Sequence, residues 1–260
     1  MKDKVIYYFT STGNSLSVAE SISNKINANI IRICETTDVD CNSDMIGFVF
    51  PLYFWGLPNL VSKFISNLNI KSDKPYIFAV VTCGGMIGGS ALHDVDALLK
   101  EKGHGLNLGS RIQMVSNYIC EFKIKDDKKI DNLLRKAEIK VNEVSEDIVN
   151  KKSNKIGKTN FIYKKFYKKY ISSCANQDSH FSVEDTCIEC GICSKVCPVN
   201  NIDVEKGRPK FLHNCEHCLA CVHWCPKQAI QWKDVTKNKK RYHNPNIKLE
   251  DMISEKSKDI

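Results

Sequence analysis

No run of apolar residues in this 260-residue chain is long enough to span a membrane: the longest, Met45 to Leu60, is interrupted by Pro51 and Pro58. The stretch MKDKVIYYFTSTGNS has too short an apolar segment for a secretory signal and no small-residue cleavage site, so a cytoplasmic, reducing compartment is expected. Thirteen glycines and seven prolines are too few for a collagenous or low-complexity chain. Neither G-x-G-x-x-G nor G-x-x-x-x-G-K-[ST] occurs, which removes the dinucleotide fingerprint and the nucleotide P-loop. No DNA-reading motif is recognisable, so no nucleic acid is expected as a partner. Acid is missing from one stretch: Lys151 to Tyr170 holds eight lysines and no Asp or Glu. By charge alone, its aromatic and lysine content suits an acidic protein partner, a membrane surface or nucleic acid. As a structural element it reads as a linker helix with a solvated face.

Strands and helices alternate through the first 150 residues. Val5–Phe9, Ile30–Ile33, Met45–Phe50, Tyr76–Val81 and a segment near Leu106–Met114 read as strands. Helical spacing appears between them, in Leu16/Val18/Ala19/Ile22/Ile26, in Leu60/Phe64/Ile65/Leu68, in Ala91–Lys100 closed by Gly103, and near Asp131–Asn150. Five strands interleaved with helices predict an α/β fold with a doubly wound, five-stranded parallel sheet. The expected organisation is an α/β domain over 1–150, a basic linker helix over 151–180, a small cysteine-rich domain over 181–232, and a polar tail over 233–260, wrapped on the surface or partly disordered.

What the chain has in excess is cysteine, thirteen in all. In a reducing compartment, clustered thiols mean metal rather than disulfides. Cys187-Ile-Glu-Cys190-Gly-Ile-Cys193-Ser-Lys-Val-Cys197-Pro198 is C-x2-C-x2-C-x3-C-P, and the spacing returns as Cys215-Glu-His-Cys218-Leu-Ala-Cys221-Val-His-Trp-Cys225-Pro226. This is the bacterial iron–sulfur run, twice. Three closely spaced thiolates cap three corners of a cubane, and the fourth comes from another direction, in two-cluster proteins from the other motif. The assignment is therefore Cys187, Cys190, Cys193 and Cys225 for one [4Fe–4S] cluster, and Cys215, Cys218, Cys221 and Cys197 for the other. Structural zinc also uses paired C-x2-C motifs, but a closed four-ligand site does not call for two four-cysteine runs each ending in proline. His213, His217 and His223 read as surface residues, since eight cysteines already suffice. The segment resembles the two-cluster bacterial ferredoxins, which implies a small α+β domain and low-potential, one-electron transfer.

Directly after the first strand, Thr10-Ser11-Thr12-Gly13-Asn14-Ser15 opens a helix. Hydroxyls and backbone N–H groups at a helix N-terminus make an anion site without Lys or Arg. Pro51-Leu52-Tyr53-Phe54-Trp55-Gly56 follows the third strand, and Thr82-Cys83-Gly84-Gly85 opens a glycine-rich loop, running to Gly89, after the fourth. All three loops belong at the strand C-termini, where open parallel sheets bind ligands. The aromatics suit stacking on a flat ring, or packing in the core. Here the chain resembles a flavodoxin, in its T-x-T-G-N loop and its order of strands and loops. With the cysteine repeat attached it is similar to the flavodoxin–ferredoxin fusion proteins of anaerobes. The resemblance implies FMN, with phosphate on Thr10 to Ser15 and the ring between the second and third loops. The face-stacking residue stays open, and Asn117-Tyr118 offers a further wall. It also implies a redox protein partner such as a ferredoxin, a hydrogenase or another oxidoreductase.

Two functions follow as expectations. One is electron transfer between the clusters, FMN and an external partner. The other is an FMN-dependent reductase of a small organic acceptor, fed through its own clusters. No acid–base pair or triad stands out beside the flavin loops; Cys83 and Tyr53 are the nearest candidates, and His93 and His104 read as surface groups.

Overall fold

The computed structural model describes residues 3–85, 89–157, 161–205 and 207–253. In order, β1 (Lys4–Tyr8), α1 (Asn14–Ile26), β2 (Asn29–Arg32), β3 (Asp40–Cys41), β4 (Met45–Pro51), α2 (Asn59–Asn67), β5 (Asn69–Ile70), β6 (Tyr76–Cys83), α3 (Ala91–Lys100), β7 (Leu108–Gln113) and α4 (Asp127–Val149) build the first part. The sheet runs β2-β1-β4-β6-β7, all parallel, with Val5 opposite Ile46 and Ile46 opposite Ile77. Counting only its own strands, that is the doubly wound order 2-1-3-4-5 of flavodoxin-type folds.

The strands are apolar without alternation because both sheet faces are covered. All eight residues of β6 are buried. On one face, Leu16, Ala19 and Ile22 of α1 meet Ala137, Val141 and Val144 of α4. On the other, Leu60, Val61 and Phe64 of α2 join Val95 and Leu99 of α3. Fully burying one such side chain is worth roughly 1.5–3 kcal/mol. Gly47 is required where a Cβ would stand 2.3 Å from the Phe78 ring.

α4 starts four residues ahead of the expected Asp131, because the Asp126 side chain accepts from Lys129 N and caps it. Among its described residues the lysine-rich stretch is helical only from Phe161, in α5 (Phe161–Cys174). Before that, Asn154 pairs with the edge strand: its N–H donates to Asn107 O at 3.0 Å and its side chain exchanges two hydrogen bonds with Gly109.

The cysteine-rich part holds β8 (Phe181–Val183), α6 (Ile192–Lys195), β9 (Ile202–Asp203), β10 (Lys210–Phe211), α7 (Ala220–His223) and β11 (Ile230–Trp232), with β8 antiparallel to β11 and β9 to β10. α6 and α7 are entered through left-handed residues, Gly191 and Leu219, at φ 71° and 62°. Val196, Ala220 and Trp224 share one apolar cluster with Leu16 and Ile22, so this part is packed onto the α/β domain.

The tail is more than a surface wrap. Tyr242, Asn244, Ile247 and Met252 are buried, and the segment ends in α8 (Leu249–Ile253) against the α/β domain. The apolar side chains spaced through its polar sequence provide that burial; residues 254–260, on which the expectation of partial disorder also falls, lie outside the described part.

Candidate functional site

Thr10 to Ser15 form a buried turn at the C-terminal end of β1, opening α1 through Gly13 at φ 90°. The Asn117 amide donates to both Ser11 Oγ and Thr12 Oγ1 at 2.8 Å, and Thr10 Oγ1 accepts from Gly13 N at 3.2 Å. Oxygens that accept in this way keep their own O–H free to donate. Ser15 Oγ lies 2.8 Å from Thr82 Oγ1. Among the described residues, the N–H groups of Ser11, Thr12, Asn14 and Ser15 find no protein acceptor. A buried set of unpaired donors at a helix N-terminus is the chemistry an anionic phosphate satisfies. The Asn14 side chain is used otherwise: it donates to Val115 O at 3.0 Å and accepts from the tail, so only its N–H remains for an anion.

The second and third loops lie at the same edge of the sheet. Leu52 N donates to Thr82 O at 2.8 Å, and Ser90 N to Trp55 O at 2.6 Å. Tyr53 and Gly56 exchange backbone hydrogen bonds around a turn in which both Phe54 (φ 43°) and Trp55 (φ 67°) are left-handed. Bulky residues there are strained, at roughly 1–3 kcal/mol each. One face of Phe54 is covered by Tyr170 of α5, with centroids 3.6 Å apart, and its edge meets Tyr118. The Tyr53 hydroxyl is buried without a hydrogen-bond partner among the described residues, and burial pushes its phenol up. The Cys83 thiol points to Ile112 O at 3.8 Å and is raised by burial. A Cβ on Gly84 would lie 2.6 Å from Ser116, whereas Gly85 has open space. Met86, Ile87 and Gly88 lie outside the described residues.

The eight motif cysteines ring two cavities. One is lined by Cys187, Cys190, Cys193 and Cys225, the other by Cys197, Cys215, Cys218 and Cys221, and both are open to solvent. Each ring takes its fourth cysteine from the other motif. Among the described residues no three His, Cys, Asp or Glu close on a single-ion point. Backbone N–H groups donate to three sulfurs: Asn201 to Cys197, His217 to Cys215 and Ala229 to Cys225, at 3.1–3.3 Å. Such donors suit thiolates bearing cluster charge. Burial raises the Cys193 thiol to about 11 and the Cys218 thiol to about 12, so a cluster assembling on them must displace protons.

The two rings differ in setting. Ile188 and Cys190 of the first are exposed. Cys197 and Cys218 of the second pack against the same core face as Leu52 and Tyr53. Glu216 accepts from Leu60 N at the start of α2 at 3.1 and 3.2 Å; burial lifts its carboxyl to about 7.

Two of the three histidines read as surface groups are buried. His217 is 3% exposed, bonded to the Tyr170 hydroxyl at 3.2 Å, and burial lowers it to about 4. His223 is 1% exposed and lowered by burial to about 3. Its Nδ1 accepts from Tyr242 N, so Nε2 carries the proton and donates to Asn117 O at 2.7 Å. Sufficiency of cysteine ligands argued against histidine ligation, but it carried no information on burial. Trp224 beside it donates to Ser11 O at 2.9 Å. Sequence reasoning gave neither this bridge nor the tail's hold on Asn14, since His223 and Asn117, Trp224 and Ser11, and Tyr242 and Asn14 are each more than a hundred residues apart in the chain.

Residues 180–226 match the model of the 4Fe–4S dicluster domain. A search of curated protein sequences finds no match to this chain. Among solved structures, a flavodoxin from Streptococcus pneumoniae is 17% identical, covering 52% of this chain and 94% of its own, with a TM-score of 0.37. A flavodoxin from the domain Archaea is 17% identical over 55% of this chain and 99% of its own, at 0.34. An azoreductase from Bacillus anthracis is 12% identical over 55% and 97%, at 0.38. Likenesses this distant carry no argument on function, and the fold stands on the strand order itself. No helix among the described residues is long and apolar enough to cross a membrane. The chain thus joins an α/β domain of flavodoxin-type strand order to a segment that matches the 4Fe–4S dicluster model.

Proposed function

We propose that this chain is an electron-transfer iron–sulfur flavoprotein. Two [4Fe–4S] clusters, on Cys187, Cys190, Cys193 and Cys225 and on Cys215, Cys218, Cys221 and Cys197, connect an external one-electron partner with FMN held by the loops after β1, β4 and β6. FMN supplies the exchange between one- and two-electron chemistry. The observation that carries this reading is the packing of Cys197 and Cys218 on the core face that also holds Leu52 and Tyr53. One cysteine ring is open to a partner, and Cys218 of the other lies near enough to Tyr53 of the second loop to act on its phenol, which supports an order from outer cluster to inner cluster to flavin.

The residues of the α/β domain hold the cofactor and restrict access to it. Ser11, Thr12, Asn14 and Ser15 offer N–H donors to the phosphate. α5 crosses the second loop, with the Tyr167 hydroxyl on Leu57 O and Tyr170 on Phe54. That cover favours electron exchange through the protein over direct entry of a bulky organic acceptor. The exposed lysines of α5, among them Lys165, Lys168 and Lys169, would steer an acidic redox protein.

Anaerobically purified protein is expected to carry about eight iron, eight sulfide and one FMN; zinc in place of iron ends the reading. In stopped-flow mixing, an acidic ferredoxin should reduce it quickly and more slowly as salt rises, because the Debye length is only about 8 Å at physiological ionic strength. Fast reduction by NADH or NADPH, or turnover of an organic acceptor at roughly 1–10³ s⁻¹, favours the reductase instead.

A further inference from the structure

We propose that the segment from Arg241 to Met252 is a clamp on the phosphate loop, in which Tyr242 and Asn244 are positioning residues that set the affinity for the FMN phosphate. The proposal rests on the FMN reading above.

Three consecutive loop residues are held by this segment. Asn244 N donates to Thr12 O at 2.8 Å. Ile247 fills the space over Gly13, where a Cβ would stand 2.8 Å from Ile247 Cβ. Asn14 Oδ1 accepts from the Tyr242 hydroxyl at 2.8 Å and from Asn244 Nδ2 at 3.2 Å. The segment is in turn fixed to the dicluster domain. Tyr242 N donates to His223 Nδ1, His243 Nε2 lies 2.6 Å from His223 O, and the His243 ring stacks on Trp224 with centroids 3.9 Å apart.

The direction of these bonds decides what the clamp does. Every hydrogen bond made to the loop by the segment and by Trp224 ends on an acceptor: Ser11 O, Thr12 O or Asn14 Oδ1. None takes up one of the loop's N–H donors. Crowded parallel N–H dipoles repel one another without an anion, so a loop holding them must be kept in shape by other contacts. Satisfying the carbonyl side and Asn14 does that while leaving the donors for phosphate. Order present before binding need not be supplied by the ligand, and affinity rises accordingly. The clamp therefore acts on the phosphate end of the flavin and has no direct contact to make with the ring.

The test compares FMN with riboflavin, which lacks the phosphate, on anaerobic cluster-loaded protein stripped of flavin. The variants are Tyr242→Phe, which removes one hydroxyl and keeps the ring, and Tyr242→Phe with Asn244→Ala. The double variant should raise the FMN dissociation constant about tenfold, the scale of one to two net hydrogen bonds. Riboflavin binding and iron content should stay unchanged. An unaltered FMN-to-riboflavin ratio overturns the clamp. So does parallel weakening of both flavins with a lower unfolding midpoint, which marks a merely structural strap. If the double variant fails to load iron, Tyr242→Phe alone decides, with a smaller shift of the ratio expected. Wild-type protein that takes up FMN but prefers it no more than riboflavin defeats the clamp alone. Wild-type protein that binds neither flavin defeats the FMN reading and the clamp with it.

Discussion

Replacing Gly13 by alanine probes the contact between loop and tail in energetic terms. Gly13 sits at φ 90°, and a Cβ there would meet Ile247 Cβ at 2.8 Å, Cγ1 at 3.0 Å and Cγ2 at 3.1 Å. Two costs add. The left-handed backbone costs an L-residue about 1–2 kcal/mol, and overpacking of a tight contact costs about 1–3 kcal/mol. Gly13→Ala should therefore destabilise by about 2–5 kcal/mol, as the sum of those two ranges. In an Ile247→Gly background all three contact atoms are gone, and only the backbone cost of about 1–2 kcal/mol should remain. Ile247→Gly is itself expensive, at about 2–5 kcal/mol for a buried aliphatic, but the cycle cancels that. The assay is denaturant unfolding of cluster-loaded, flavin-free protein followed by tryptophan fluorescence, with all four midpoints compared at constant slope. A coupling of about 1–3 kcal/mol is expected. Additivity within about 0.5 kcal/mol would mean that the tail does not pack on this loop, and the clamp would lose its basis.

Cys225→Ala should remove the paramagnetic signal of the cluster on Cys187, Cys190 and Cys193, and Cys197→Ala that of the cluster on Cys215, Cys218 and Cys221; loss of the cluster nearest in sequence refutes the crossing. Thr12→Val should weaken FMN by about 1–3 kcal/mol, the range for a hydrogen bond to a charged group, while iron content stays constant; unchanged affinity in a flavin titration means that the phosphate lies elsewhere. Burial lowers His223 to about 3 from an ordinary 6.5. The unfolded chain then binds the proton more readily, so this contribution is present above pH 6.5 and lost as pH falls toward 3. From pH 7.5 to 5.5 it amounts to about 1.4 kcal/mol, and His223→Gln should lose that much less stability over the interval; equal losses would show that His223 is not held neutral. The variant comparison matters because Glu216, raised to about 7, works in the opposite direction over the same interval.

Much of the fold was legible because its signals are local. β4 and β6 read as strands from unbroken apolar runs, and the parallel sheet they imply covers both faces, which is why the runs are unbroken. The start of α4 was hidden because Asp126-Asp127-Lys128-Lys129 has no apolar period, and its order comes from one capping carboxylate. The lysine stretch was harder still. Its composition fits a helix, yet Asn154 gains three hydrogen bonds by lying along the edge of β7, and a contact of that kind leaves no trace in local periodicity.

The site divides along the same line, between neighbours in sequence and neighbours in space. Both cysteine repeats and the Thr10–Ser15 loop are contiguous, so their residue types and spacing carry the chemistry. Phe54 shows where that stops. An aromatic in a ligand loop suits stacking on a flat ring, but one face of Phe54 is already covered by Tyr170, 116 positions later in the sequence. Phe54 and Trp55 are also both forced to positive φ, in a turn that glycine or asparagine would enter without strain. Keeping two bulky aromatics there costs stability that packing elsewhere must offset. The gain is a rigid aromatic bridge: Phe54 lies on Tyr170, whose hydroxyl meets His217, the residue just before Cys218. A loop selected only for turn propensity would have no reason to hold that geometry. One that must keep a fixed separation between the proposed flavin site and a cysteine ring does.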